Sequence, residues 1–310
     1  MNNLLIVLLG PTGIGKSDIA IDLARHFKCE IISADSRQFF KEMKTGTAVP
    51  SEKQLREITH HFIRFLPAEK YYSSSMFERD VLKLLPDLFS KNRIVLLTGG
   101  SAMYIDAVCE GTDEIPDVEI TVREKFIKKY DDEGIEGLRL ALKLLDPEHY
   151  KKVDLKNPKR MIRALEICES TGQPYSSFLT RQKKKREFDI IKIGLTRPRQ
   201  ELYDRINRRV DEMIAGGLEE EARNLYSMRH LNALNSVGYK EFFEFFDRKI
   251  TKEKAIDLIK RNTRRYAKRQ MTWWAKDKDI HWVDPTRVTE IIKFIEDSSV
   301  FQSSLPDFPS

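Results

Sequence analysis

Three cysteines in 310 residues, Cys29, Cys109 and Cys168, are odd in number and widely spaced, and no CxxC pair occurs. That pattern argues against a disulfide framework and against a structural zinc site, so the thiols read as small buried hydrophobes. Long apolar runs are also missing. None approaches the roughly 20 residues needed to cross a bilayer, and Leu4 to Leu9 is too short, and too soon followed by Gly10 and Pro11, to be the core of a signal peptide. A soluble, cytoplasmic protein with no membrane partner is the expectation. The chain carries no internal repeat. Nor does either sign of charge dominate: 54 Lys and Arg stand against 48 acidic residues, a net charge of +6 with a pI near 9.0. The balance tilts towards a polyanionic partner without establishing one.

What is present is enough apolar residue, 41%, to bury a substantial core in one large domain or one domain with an insertion. Leu4 to Leu9, Glu30 to Ser33, His61 to Phe65 and Arg93 to Thr98 are short runs suited to buried parallel strands. Ser17 to Phe27 places Ile19, Ala20, Leu23, Ala24 and Phe27 on one helical stripe. From about Asp113 to Glu187 the pattern turns purely helical, with Asn157-Pro158 opening one helix and Thr171-Gly172-Gln173-Pro174 ending it. Strand character returns at Phe188 to Leu195 and Ile280 to Val283, and a Ser- and Pro-rich stretch after Asp297 reads as a frayed tail. The expected fold is therefore α/β: a parallel sheet core of the P-loop type from residues 1–118 and 188–310, with a helical insertion at 119–187.

Between the first strand and the first helix stands Gly10-Pro11-Thr12-Gly13-Ile14-Gly15-Lys16-Ser17. In this spacing glycines let the backbone wrap closely while successive N–H groups point at phosphate oxygens. Lys16 adds a compact positive charge, Ser17 can ligate a magnesium ion, and the helix start adds its positive dipole end. The loop does not say whose phosphate it holds. An NTPase or small-molecule kinase is the default, yet the strand at Ile94 to Leu97 runs into Thr98-Gly99-Gly100-Ser101 and lacks the acidic residue that holds magnesium in many such enzymes.

The second strand ends in Ser33-Ala34-Asp35-Ser36, at the edge where open α/β sheets bind ligands. Asp35 is either a loop or helix-capping carboxylate or, facing the P-loop, a base. Repulsion from a bound diphosphate would suit it to take a proton from an incoming nucleophile. Arg37 and Gln38 add groups able to hydrogen-bond a planar base.

Taken together, the chain resembles the tRNA dimethylallyltransferases, or tRNA isopentenyltransferases, over nearly its whole length. The resemblance rests on Gly10-Pro11-Thr12, Ser33-Ala34-Asp35-Ser36-Arg37-Gln38, Gly46-Thr47-Ala48-Val49-Pro50 and Gly99-Gly100-Ser101-Ala102-Met103-Tyr104. Further on stand Asn157-Pro158-Lys159-Arg160-Met161-Ile162-Arg163-Ala164-Leu165-Glu166, Val237-Gly238-Tyr239-Lys240-Glu241 and Thr263-Arg264-Arg265-Tyr266-Ala267-Lys268-Arg269-Gln270. The family implies transfer of a dimethylallyl group from dimethylallyl diphosphate to N6 of adenosine 37, in tRNAs that read codons beginning with U, without ATP consumption.

By that resemblance Asp35 is the general base, and Thr12, Lys16 and Ser17 belong to the diphosphate and Mg2+ site. Arg209 is assigned to the diphosphate. Asp35, Ser36, Arg37, Gln38, Ser101, Arg123, Lys159, Arg160, Met161, Ile162 and Arg163 fall where the family contacts tRNA, through its anticodon stem-loop, and a monomer is the expected working unit. Three positions depart from the family pattern. Ser101 stands where Thr is usual, Phe40 where Tyr is common, and Leu234-Asn235-Ser236 lacks the basic residue often found before Val237.

Two basic stretches fit an RNA partner. Arg261, Arg264, Arg265 and Lys268 lie within an arc of about 100° on a helix, with Ile259, Tyr266 and Trp273 opposite. The run Arg181-Gln182-Lys183-Lys184-Lys185-Arg186 reads as a linker or as an RNA phosphate contact, the latter favoured. His60-His61 has no third ligand at metal spacing and reads as structural. Phe242, Phe243, Phe245 and Phe246, like Trp273-Trp274, read as packing rather than base-stacking residues.

Overall fold

The computed structural model describes residues 2–304 apart from 117 and 181. The chain divides into two compact units, Met1–Glu110 with Lys185–Ser310, and Gly111–Lys184. The bounds of the second fall somewhat earlier than the 119–187 expected from the sequence.

The larger unit is built on a six-stranded parallel sheet: β1 (Leu4–Leu9), β2 (Ile31–Ser33), β3 (His60–His61), β4 (Ile94–Gly99), β5 (Asp189–Leu195) and β6 (Ile280–Val283), in the order β3-β2-β4-β1-β5-β6. Every residue of β1 is buried, as a central strand covered on both faces must be. Leu4, Ile6 and Leu8 pack with Ile19, Leu23 and Phe27 of the helix Lys16–Phe27. Leu5, Val7 and Leu9 face the other way, onto Phe77, Val81 and Leu85 of the helix Ser74–Lys91. This alternation is the two-residue period of a strand read against two helical layers. A third apolar cluster joins Phe40, Met43, Val210, Leu218, Tyr239 and Phe242. Phe242 and Phe243 are buried, as the packing reading requires.

Register brings the strand ends together. Leu9 is level with Gly99 on one side and Gly194 on the other, and Ser33 is level with Thr98. The P-loop, Asp35 and Gly100 therefore leave the sheet side by side at its carboxyl edge. The approach is close: a Cβ on Gly99 would lie 2.2 Å from the Ala34 carbonyl oxygen.

Two expectations are corrected. The strand drawn over His61 to Phe65 is only His60–His61. Phe62 and Arg64 take φ of 62° and 49°, and the chain turns away so that the Arg64 and Phe65 amides bond the carbonyls of Gln38 and Phe39. The stretch after Asp297 is not frayed from its start, since Ser299–Ser304 is helical and Phe301 is buried with its ring 5.8 Å from that of Phe27. Residues 305–310 of that stretch lie outside the described residues, as does Arg181 of the basic run.

In the smaller unit, Asn157 caps the helix Pro158–Thr171 by accepting from the Arg160 amide, and Gly172 ends it at φ 68°. That helix packs its Met161, Ile162 and Leu165 against Phe126, Leu138 and Leu142 of the long segment Ile120–Leu145, which kinks at Gly134.

Candidate active site

A cavity of about 450 Å³ opens at the carboxyl edge of the sheet. Its floor is the P-loop. Gly13 and Gly15 take φ of 81° and 107°, backbone that a side chain strongly disfavours, and a Cβ on Gly13 would meet Ile206 at 2.8 Å. These turns deliver Lys16 and Ser17 to the first turn of the helix Lys16–Phe27, so its free amide end faces the cavity. The Lys16 Nζ donates to the carbonyls of Gly10 (2.7 Å) and Pro11 (3.0 Å). Burial pushes its ammonium down from 10.5 to about 7, against the pull of Asp35, and Arg209 adds to the fall.

Asp35 lines the same cavity, half-buried, with Oδ1 accepting from the Arg37 amide at 3.2 Å. The next residues are locked to the end of β4. The Ser36 amide donates to Ser101 Oγ at 2.9 Å, and Ser101 Oγ donates to Ser36 Oγ at 3.0 Å. Ser101 keeps the hydroxyl that the usual Thr would supply. Tyr266 lines the same cavity, with its hydroxyl in reach of Ser101.

The helix Arg199–Ala215 brings Arg205, Arg208 and Arg209 to the cavity. Only Arg209 was expected there. The i, i+3, i+4 spacing puts all three on one face, a signal the sequence carried. Burial pushes the Arg209 guanidinium down, with Asp35 and Glu212 opposing. Arg205 Nε donates to the Gly13 carbonyl at 3.1 Å and so ties this helix to the P-loop.

Gln270 was missed as a site residue. It is buried in the helix Lys252–Trp274, accepts from the Thr12 amide at 2.9 Å and donates to the Gly100 carbonyl at 2.6 Å. Tyr266 and Trp273 share its helical face but are not packed away: Tyr266 opens onto the cavity and Trp273 donates to Asp106 at 2.7 Å. On the far side of that helix Arg261, Arg265 and Lys268 are exposed, while Arg264 bonds Asn207 at 2.5 Å.

Other expected residues are placed differently. The Gln38 side chain reaches the cavity, but its Nε2 donates to the carbonyls of Thr47 and Ala48, both 3.2 Å, and its Oε1 accepts from Ser33. Arg37 donates to the carbonyls of Asn232 and Ala233. In the smaller unit Arg163 and Arg123 share the buried Glu166, at 2.6 and 3.5 Å. Lys159 and Arg160 are exposed, whereas the side chains of Met161 and Ile162 are in the core. Arg186 of the basic run is not a free phosphate contact: it is buried and paired with Glu78 at 2.7 Å. His61 bonds Glu30, and His60 bonds the Ile58 carbonyl and lines the cavity.

Among the described residues no group of three or more His, Cys, Asp or Glu is disposed to hold a metal. The exposed Ser17 hydroxyl, at the cavity end of the helix Lys16–Phe27, fits an ion such as Mg2+, which takes few protein ligands and completes its shell with phosphate oxygens and water.

The IPP transferase family model matches residues 38–277. The tRNA dimethylallyltransferase 1 of Bacteroides fragilis is 53% identical, over 95% of this chain and 98% of its own length. Among solved structures, the tRNA isopentenylpyrophosphate transferase of Bacillus halodurans is 32% identical and superposes with a TM-score of 0.71, covering 97% of each chain. A eukaryotic dimethylallyltransferase acting on tRNA gives a TM-score of 0.80 at 25% identity, covering 98% of this chain and 80% of the other. Among the described residues no helix is long and apolar enough to cross a membrane.

Proposed function

Because the chain belongs to the tRNA dimethylallyltransferase family, we propose that its cavity transfers the five-carbon group of dimethylallyl diphosphate to N6 of adenosine 37 in tRNAs reading codons that begin with U. The observation that carries this reading is that Asp35 lines one cavity together with Lys16, Ser17 and Arg209. An anion site and a carboxylate base in one cavity are what alkylation of an amine by an allylic diphosphate demands.

The exocyclic amine of adenine is a weak nucleophile because its lone pair is delocalised into the ring. As N6 attacks the allylic C1, the C1–O bond to diphosphate breaks, and one N6 proton passes to a carboxylate oxygen of Asp35. Negative charge grows on the departing diphosphate. This reading assigns Lys16, Arg209 and the P-loop amides to stabilising that charge more in the transition state than in the ground state. Thr12 sits on the same wall, its amide held by Gln270. Mg2+ bound at Ser17 would supply further charge neutralisation to the diphosphate.

The tRNA-facing groups fall in two sets. Base contact at the cavity is assigned to Ser36, Arg37, Gln38 and Ser101, and contact with the anticodon stem-loop to Arg123, Lys159, Arg160 and Arg163 and to the Arg261, Arg265 and Lys268 face. Phosphate contacts of this kind position the RNA, while contacts to the unstacked base specify it. Incubation with Mg2+, labelled dimethylallyl diphosphate and unmodified tRNA tests the reading. Label in tRNA at adenosine 37 is the expected result; hydrolysis of ATP with inertness towards the allylic diphosphate would replace it with a kinase.

A further inference from the structure

The segment Gly46-Thr47-Ala48-Val49-Pro50 has no role in the chemistry above, yet Ala48 and Pro50 line the cavity. With Ala20 and Ile63 they are the carbon-rich part of a lining otherwise dominated by glycine, hydroxyl and charge. If the substrate is dimethylallyl diphosphate, this is the wall chemically suited to its hydrocarbon end.

The wall is held under strain. Ala48 has φ 46°, a left-handed backbone that costs a residue bearing a Cβ on the order of 1–2 kcal/mol and persists only where its surroundings impose it. From one side Gln38 donates to the carbonyls of Thr47 and Ala48. From the other, a single carboxylate collects the backbone. Glu221, on the helix Leu218–Asn224, accepts from the amides of Lys44 (3.1 Å), Thr45 (2.7 Å) and Gly46 (2.9 Å) and from the Tyr239 hydroxyl (2.6 Å). Tyr239 is fully buried, and Gly46 lies so close that a Cβ there would be 2.5 Å from its ring. Three amides and a phenol directed at one carboxylate form a charge-assisted clamp that no neutral side chain reproduces.

We propose that Glu221 is a positioning residue that, by clamping residues 44–46, fixes the Ala48–Pro50 wall and with it the fit of the five-carbon chain. The inference rests on the prenyl-transfer reading for the identity of the ligand. It makes Glu221 selective in effect: the diphosphate end, held by the P-loop and Arg209, does not depend on it.

The test compares the full-length protein with its Glu221→Ala, Glu221→Gln and Tyr239→Phe variants. Turnover is measured with dimethylallyl diphosphate and with the ten-carbon geranyl diphosphate, and binding of inorganic diphosphate is measured by calorimetry. In Glu221→Ala, KM for dimethylallyl diphosphate should rise about tenfold, and the preference in kcat/KM for five over ten carbons should fall by a similar factor, equivalent to about 1.4 kcal/mol. The affinity for inorganic diphosphate should stay within about twofold. Glu221→Gln and Tyr239→Phe, which keep most of the shape, should show smaller shifts in the same direction and stand in if Glu221→Ala does not fold. Unchanged KM and chain-length preference would overturn the proposal, as would equal losses for every ligand.

If the natural protein itself moves no prenyl group to tRNA, the prenyl-transfer reading fails first. The clamp is then still decided without turnover: amide hydrogen exchange at Lys44, Thr45 and Gly46 should accelerate in Glu221→Ala, and unchanged exchange would overturn it.

Discussion

The amide of Thr12, inside the P-loop, donates to the buried side chain of Gln270 at 2.9 Å, although 258 residues separate them. The other end of that side chain donates to the Gly100 carbonyl, so one glutamine spans the loop after β1 and the loop after β4. Both loops shape the cavity, and their spacing is set by the length of one amide.

Gln270→Leu should therefore damage more than packing. It leaves the Thr12 amide and the Gly100 carbonyl without their partner, and an unsatisfied buried group costs about 1–3 kcal/mol. Chemical denaturation should show a stability loss of that order, and kcat should fall as the two walls drift. Gln270→Glu keeps the acceptor for Thr12 but loses the donor to Gly100, and should lie between Gln270→Leu and the natural protein in both measurements.

Lys16 gives a prediction with a definite sign. In the free protein burial holds its pKa near 7, and a bound diphosphate favours the charged form. Below about pH 7 the ammonium is already charged and binding takes up no proton at this site. Above it, binding draws a proton in, so affinity for inorganic diphosphate should fall as pH rises, towards a limit of about tenfold per unit. Calorimetry in buffers of different ionisation enthalpy measures the uptake, and Lys16→Met, which has no titrating group, should lose that component.

Gly99 is fixed by contact rather than by chemistry. A Cβ would lie 2.2 Å from the Ala34 carbonyl oxygen, backbone against backbone, with no flexible side chain to give way. Gly99→Ala should cost about 1–3 kcal/mol or more in a denaturation experiment, because β2 and β4 must separate. Activity should fall with it, since Asp35 follows Ala34 directly.

Much of this arrangement could be read before folding. The P-loop spacing and the apolar run before it place the anion site, and Ser33-Ala34-Asp35 at a strand end places the carboxylate, because strand ends meet at one edge of a parallel sheet. Local pattern does not carry long-range pairing. Gln270 looks like an ordinary polar position on a basic helix until the fold brings Thr12 and Gly100 to it, and Arg186 looks like free charge until Glu78 is seen beside it. The break after His61 was hidden for the same reason: the amides of Arg64 and Phe65 leave the sheet for carbonyls at Gln38 and Phe39, partners that periodicity does not name. The Arg205, Arg208 and Arg209 face is legible at helical spacing, because i, i+3 and i+4 share one side of a helix.

Single-turnover transfer by Asp35→Asn tests most directly whether Asp35 takes the proton from the adenine amine. The variant is mixed with labelled dimethylallyl diphosphate, Mg2+ and unmodified tRNA, with binding of both substrates measured alongside. With Asp35 as the base, binding should stay within a few-fold while the transfer step slows by about 100-fold or more. Transfer at the natural rate with both substrates bound would contradict it and move the base elsewhere in the cavity.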